Sequence, residues 1–244
     1  LPTYGIKVLV EAGLGIGLLL QKQKAYTLSS VGRCVLHDTM TKVNMDFTQD
    51  VNYQGLFYLK EAIKTGTPAG LKRWGDWPTI YQALADLPEG TRQSWLNFDH
   101  YYSDGAFRRA AREVFKDKPK KMMDIGGNTG KWAIHCLKSD SDLEISIVDL
   151  PGQLRMAEKA IVKQGFKKRV DYHAVDLLSP EQKLPEGHDV IWMSQFLDCF
   201  SKAEIISILK KAAVVMRPDD HLFILETYWD RQAHEAAAFC LQQT

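Results

Sequence analysis

From Lys120 onward, β-rich and helix-like segments alternate, and this alternation limits the fold more than any other feature of the 244-residue chain. Five apolar, β-prone runs occur: Lys121 to Ile125, Leu143 to Asp149, Val170 to Val175, Asp189 to Met193 and His221 to Glu226. Helical stretches lie among them at Gly130 to Leu137, Gly152 to Gln164 and Lys202 to Met216. Such a pattern predicts an α/β fold with a parallel sheet and helices on both faces. Right-handed crossovers put the C-terminal ends of all strands at one edge, where ligands of open α/β sheets bind.

The first hundred residues read differently, as helices with one short strand. Tyr4 to Leu20 has apolar residues at mixed helical spacing, and Ala25 to Leu28 is β-prone. Ser29 or Ser30 caps a helix through Leu36. Gly75 to Pro78 marks a turn, and Thr79 starts another helix. A helix from Glu89 to about His100 is followed by a further helical segment, Tyr101 to Phe115, which Pro119 closes.

Bulk composition excludes several classes. The net charge is +1, with 45% hydrophobic and 25% charged residues, so no nucleic-acid or membrane partner is indicated. The locally basic stretch Arg108 to Lys121 reads as a solvated face and linker. Cys34, Cys136, Cys199 and Cys240 form no CxxC pair, which fits a reducing, cytoplasmic setting without zinc or a disulfide framework. The apolar run Val8 to Leu20 is too short to span a bilayer and lacks a cleavage signature. The chain starts at Leu1 and stops at Thr244 inside a segment that reads as a helix, Gln232 to Gln243, so a fragment of a longer protein is expected.

The strongest motif is Asp124-Ile125-Gly126-Gly127-Asn128-Thr129-Gly130, which ends a strand and opens a helix. Glycines let the backbone turn sharply and approach a ligand closely. A dinucleotide site wants a glycine where Ile125 stands and seats a pyrophosphate on the helix N-terminus. Asp124 would repel that anion but suits a cation, and S-adenosylmethionine carries a sulfonium and an ammonium. The alternative is an ordinary tight turn. Asp149 ends the next strand, where an acidic residue typically accepts from ribose hydroxyls; the alternative is a surface aspartate before Pro151. Asp176 is placed to accept from an adenine amino group while Leu177 packs on the ring, or else to cap a helix.

Taken in order, Asp124 to Gly130, Val148-Asp149-Leu150-Pro151, Val175-Asp176-Leu177 and Arg217-Pro218-Asp219-Asp220 resemble the plant-type small-molecule O-methyltransferases, including acetylserotonin and caffeate methyltransferases, and their bacterial relatives. The resemblance implies a Rossmann-like class I methyltransferase sheet, here with five of the usual seven strands, in residues 98–244. It implies a winged-helix-like dimerisation domain in residues 1–97, with Tyr26 to Ser29 as the wing and Gly32 to Leu36 in the helix after it. It also implies S-adenosylmethionine as cofactor, no metal, a homodimer and a small-molecule methyl acceptor. Asp124, Gly126, Gly127, Gly130, Asp149, Leu150, Asp176, Leu177 and Ser194 would hold the cofactor. Phe98 and Tyr102 would line the acceptor pocket.

The sequence departs from the family pattern at four points. Asn128 replaces a glycine, and Ser194 replaces a cofactor-contacting lysine. Asp198, in Leu197-Asp198-Cys199-Phe200, stands where the family's catalytic histidine belongs. The last two strands and the final catalytic glutamate would lie beyond Thr244. Glu226 lies 28 residues (226 − 198) after Asp198, the family spacing of the histidine's first glutamate partner. Asp198 and Glu226 are therefore the candidate catalytic pair. The alternatives are that Asp198 caps the helix starting near Ser201 and that Glu226 is an ordinary strand-end residue. Of seven histidines, His100 and His234 are the two that could reach the acceptor side, and no pair has metal-ligand spacing.

The reaction expected is methyl transfer to a hydroxyl of a small aromatic molecule. Other readings are a methyltransferase fold acting on carbon or nitrogen, or using the cofactor for other chemistry. A winged-helix regulator is disfavoured: Tyr4 to Leu20 offers only Lys7, and Ser30 to Asp38 only Arg33, as DNA-binding cations.

Overall fold

A computed structural model describes residues 1–233 and 235. His234, Cys240 and most of the expected helix Gln232 to Gln243 lie outside the described residues.

The five expected strands form one sheet: β3 (Lys121–Ile125), β4 (Glu144–Asp149), β5 (Val170–Ala174), β6 (Val190–Ser194) and β7 (His221–Leu225). They follow an N-terminal hairpin of β1 (Leu19–Lys22) and β2 (Ala25–Leu28). Sheet order is β5-β4-β3-β6-β7, with every pair parallel. The chain runs outward from β3 through β4 to β5, then crosses to β6 and continues to β7. The direction of winding therefore reverses between β3 and β6, and this topological switch point opens a crevice at their C-terminal ends.

Burial on both faces explains the apolar runs of the three central strands β3, β4 and β6. Met122, Ile145, Ile147, Val190 and Trp192 point to one side, into a core with Trp132, Leu137, Ala157 and Ile161. Trp132 stacks on Trp192 with ring centroids 4.0 Å apart. Met123, Ile125, Val148, Ile191 and Met193 point to the other side, against Ile208 and Ala212. The helices that cover these faces are Lys131–Ser139, Pro151–Lys163 and Lys202–Val215. Ser201 starts the last of them with a capping box. Its hydroxyl accepts from Glu204 N, and the Glu204 carboxylate accepts from Ser201 N at 2.7 Å.

Two expectations for the N-terminal region need correction. The apolar segment Tyr4 to Leu20 is a helix only over Thr3–Gly15; its end turns into β1, which the sequence reading missed. Gln23, at φ 55, closes the hairpin. The long connecting segment is one unbroken helix, Glu89–Val114, rather than two in succession. Ser29 caps the helix Ser30–His37 by accepting from Gly32 N at 3.0 Å. A Cβ on Gly32 would lie 2.2 Å from the Leu18 carbonyl oxygen, so only glycine fits where this helix crosses the hairpin.

At the N-terminal edge of the sheet, Arg217 binds Asp189 at 3.0 Å and Asp220 at 2.8 Å. Asp189 accepts from the backbone of Lys120 and Lys121 as well. The Arg217 to Asp220 turn thus ties β3, β6 and β7 together, at the edge opposite the crevice.

Candidate active site

Asp124 is the last polar residue of β3. It is 2% exposed, and its Oδ2 has no hydrogen-bond partner. Burial, with Asp149 nearby, pushes its carboxyl up to about 8. The glycine turn lies directly over it: a Cβ on Gly127 would sit 3.0 Å from Asp124 Oδ2 and 2.7 Å from Ile147 Cγ2. Gly126 and Gly130 adopt φ 71 and 73, and Gly130 N donates to the Gly127 carbonyl at 2.7 Å.

Asn128 holds φ 48, the left-handed conformation, which asparagine tolerates better than most residues. Its backbone N–H donates to Asp149 Oδ2 at 2.9 Å, while Leu150 N donates to Oδ1 at 2.7 Å. Asp149 is therefore buried beneath the turn and fastens it, which excludes the surface-aspartate alternative. Burial pushes its carboxyl up to about 7, although both N–H donors favour the charged form.

Asp176 does not cap a helix. Its Oδ1 accepts from Leu178 N at 2.9 Å, and its own N–H donates to Gln182 Oε1 at 2.6 Å. Leu177 is fully buried and Leu150 partly so, in the same core. The residue that reaches this spot was not foreseen. Tyr81, from the short helix Ile80–Ala83, packs edge-on against Phe196 and Phe200 and donates to the Val175 carbonyl at 3.4 Å. Burial, then Asp149 and Asp176, hold its phenol well above the usual range. The neighbouring chain is tight: a Cβ on Gly152 would fall 2.2 Å from Ala85 Cβ.

β6 ends in Ser194, whose Oγ is buried without a partner. Gln195 follows at φ 45, a conformation that costs an ordinary residue roughly 1–2 kcal/mol. Phe196 N and Leu197 N then both donate to Glu226 Oε1 at 2.9 Å. Glu226 is thus more than an unengaged strand end: it closes the turn after β6. Burial and the charge of Asp198 raise its carboxyl to about 7. Asp198 lies in the short 3₁₀ turn Leu197–Cys199; its side chain reaches the surface, yet desolvation by the surrounding chain raises its carboxyl too. The two acids are neighbours, and the cap of the following helix is Ser201 rather than Asp198.

Phe98 and Tyr102 pack on a neighbouring helix. Phe98 stacks on Phe47 at 4.1 Å, and the Tyr102 hydroxyl accepts from Asn44 Nδ2 at 2.7 Å, both on the helix Thr39–Phe47. One residue further round the same long helix, Asp99 and His100 turn to the crevice. His100 Nε2 lies 2.9 Å from Thr129 Oγ1, and burial drives its pKa down to about 4, so the ring is neutral at pH 7. Among the described residues, no group of three His, Cys, Asp or Glu side chains could hold a metal ion. No helix among them is long and apolar enough to cross a membrane.

Residues 107–243 match the family model of the O-methyltransferase domain. The chain belongs to that family. Among curated members, a 3-hydroxy-5-methyl-1-naphthoate 3-O-methyltransferase of Streptomyces sahachiroi is 26% identical over 207 residues, 83% of this chain and 57% of that protein. An L-tyrosine C(3)-methyltransferase of Streptomyces lavendulae is 22% identical over 209 residues, 84% of this chain and 56% of that protein. This O-methyltransferase-family chain thus spans little more than half the length of the relatives it matches. Its fold is that of an O-methyltransferase from neocarzinostatin biosynthesis (NcsB1), solved with S-adenosylmethionine and 2-hydroxy-5-methyl naphthoic acid. The TM-score is 0.75 at 18% identity, covering 96% of this chain and 72% of that one.

Proposed function

We propose that the chain binds S-adenosylmethionine at the β3–β6 crevice and belongs to an enzyme that methylates a hydroxyl of a small aromatic molecule. The observation that carries this reading is Asp124, a buried acid whose Oδ2 has no partner beneath the glycine turn of an O-methyltransferase-family sheet. A buried polar group left unpaired costs stability unless a ligand satisfies it. Asn128 Oδ1 and Ser194 Oγ, also buried and unpartnered, stand at the same edge. Three such atoms around one crevice, with acids at the ends of β3 and β4 that a bound cation would hold ionised, fit a cationic nucleoside.

When bound, S-adenosylmethionine supplies a methyl carbon already activated by its sulfonium. The chain's part is to hold the acceptor in line and to manage a proton. Positioning contributes about 7–11 kcal/mol in such reactions. A general base contributes about 10²–10⁴-fold, or roughly 3–5 kcal/mol. Asp198, an exposed side chain whose carboxyl is raised by desolvation from the surrounding chain and which is set beside Glu226, is a stronger base than a free aspartate and is the residue we assign to the acceptor proton. Because Asp198 stands at the histidine position, methylation at carbon is the second reading.

Family resemblance and exposed apolar side chains on Thr3–Gly15, among them Tyr4 and Leu9, support a homodimer through the N-terminal region. The winged-helix-like assignment of residues 1–97 rests on β1–β2 and the helix after it. Free Cys34, Cys136 and Cys199 accord with a cytoplasmic setting. Calorimetric titration with S-adenosylhomocysteine tests the cofactor reading. Saturable one-site binding is expected, and absence of heat at several temperatures would refute it.

A further inference from the structure

The crevice between β3 and β6 contains a carboxylate that belongs to neither strand. Asp99 rides on the helix Glu89–Val114, yet its side chain meets both loops that leave those strands. Asn128 Nδ2 donates to its Oδ2 at 3.4 Å. With its amide oriented to suit its neighbours, Gln195 donates to Asp99 Oδ1 at 2.7 Å and to the Asp99 carbonyl at 3.1 Å. Asn128 and Gln195 are two of the four non-glycine residues with positive φ among the described residues, and they stand on opposite banks of the crevice. Two strained amides thus converge on one acid.

Cations near this acid are already committed. Lys131 pairs with Asp104 at 2.7 Å. His100 Nδ1 lies 3.9 Å from Asp99 Oδ2, but the ring is neutral at pH 7. Burial, then the charges of Asp198 and Asp104, push the Asp99 carboxyl up to about 7 against the opposing pull of the Asn128 hydrogen bond and Lys131. Asp99 therefore has amide donors on two sides, while Lys131, the cation that favours its charged form, makes its ion pair with Asp104 instead.

We propose that Asp99 is a cofactor-binding residue whose carboxylate receives the α-ammonium of the methyl donor at the β3–β6 switch point. The assignment rests on the methyl-donor reading above. An ammonium placed there gives Asp99 a directly paired counter-charge and offsets its repulsion with Asp198. Neither Phe98 nor Tyr102 can serve this purpose, since both carry uncharged aromatic rings turned to the helix Thr39–Phe47.

The test is a double-mutant cycle on the whole chain, read by calorimetry. The ligands are S-adenosylhomocysteine and its analogue lacking the α-amino group. The wild type is expected to prefer the amino form roughly 10–100-fold, the range for a hydrogen bond to a charged group. Asp99→Asn should reduce that preference to within about threefold while binding the deamino analogue as the wild type does. Asp99→Ser provides a second neutral variant should the first not melt cooperatively. A preference retained in the neutral variants, or absent from the wild type, overturns the assignment. Failure of the wild type to bind S-adenosylhomocysteine at all would instead remove the methyl-donor reading on which it rests.

Discussion

Replacing Asp124 with asparagine should stabilise the ligand-free protein while damaging its site. In the folded chain the carboxyl is pushed up to about 8, against 3.8 ordinarily. Between those values the folded state keeps a proton that the unfolded state has released. Its contribution is fully present below pH 3.8 and is lost as pH rises toward about 8. At about 1.4 kcal/mol per pH unit, the wild type should lose roughly 2–3 kcal/mol from this group between pH 5 and pH 7. Asparagine does not titrate, so the stability difference should shift toward Asp124→Asn by about 2–3 kcal/mol across that interval. Asp149, raised to about 7, adds its own slope to both proteins and largely cancels in the comparison. Urea unfolding of both at pH 5, 6 and 7 in one salt measures this directly. In a second arm, ligand at 100 times Kd should stabilise the wild type by about 2.7 kcal/mol and the variant much less. A difference constant with pH to within about 0.5 kcal/mol would refute the claim that Asp124 is held protonated by burial.

Other outcomes are expected at neighbouring positions. Asp149→Ala should weaken S-adenosylhomocysteine binding in calorimetry by roughly 1.5–3 kcal/mol, the range for bonds to a charged group, and unchanged affinity would argue against a ribose role. Gly127→Ala, with its new Cβ 2.7 Å from Ile147 Cγ2, should cost roughly 1–3 kcal/mol in chemical denaturation; a neutral result would mean the turn can shift. Ser201→Ala should cost about 1 kcal/mol through loss of the capping box without changing ligand affinity. In the full-length enzyme with its acceptor, Asp198→Asn should lower kcat roughly 10²–10⁴-fold while leaving cofactor affinity near wild type. Normal turnover would leave positioning alone to carry the reaction.

The sheet was legible because its three central strands, β3, β4 and β6, are buried on both faces, and apolar runs such as Lys121 to Ile125 have no other use in a chain this short. The glycine turn was legible because its residues are demanded locally, by backbone conformation and by the close approach of Ile147 and Asp124. β1 was hidden for the opposite reason. Its residues continue an apolar helix-like pattern, and pairing with β2 decides their state. Tyr81 gave no signal at all, since its partners are 94 or more residues away. Asp99 had one: Phe98 and Tyr102 are a helical turn apart, so Asp99 and Ser103 share the adjoining stripe. Choosing the aromatic stripe pointed to the helix Thr39–Phe47, and the charged neighbour faced the crevice. At Asp198, two acceptable cap residues stood close together in sequence, and only the bonds of Ser201 and Glu204 distinguish them.

The seam at Tyr81 and Ala85 bears on how such proteins can be recombined. Residues 80–87 come from the N-terminal part, yet Tyr81 is packed into the core beside β6 and its hydroxyl meets the loop after β5. Ala85 leaves no room for any side chain at position 152. A chimera that joins one relative's N-terminal half to another's sheet at residue 97 would separate this lining from the wall it fits. Moving the junction upstream of Thr79 keeps both surfaces of the seam from one parent. Recombination libraries built on this fold should therefore yield folded members mainly when residues 80–87 and Gly152 are inherited together.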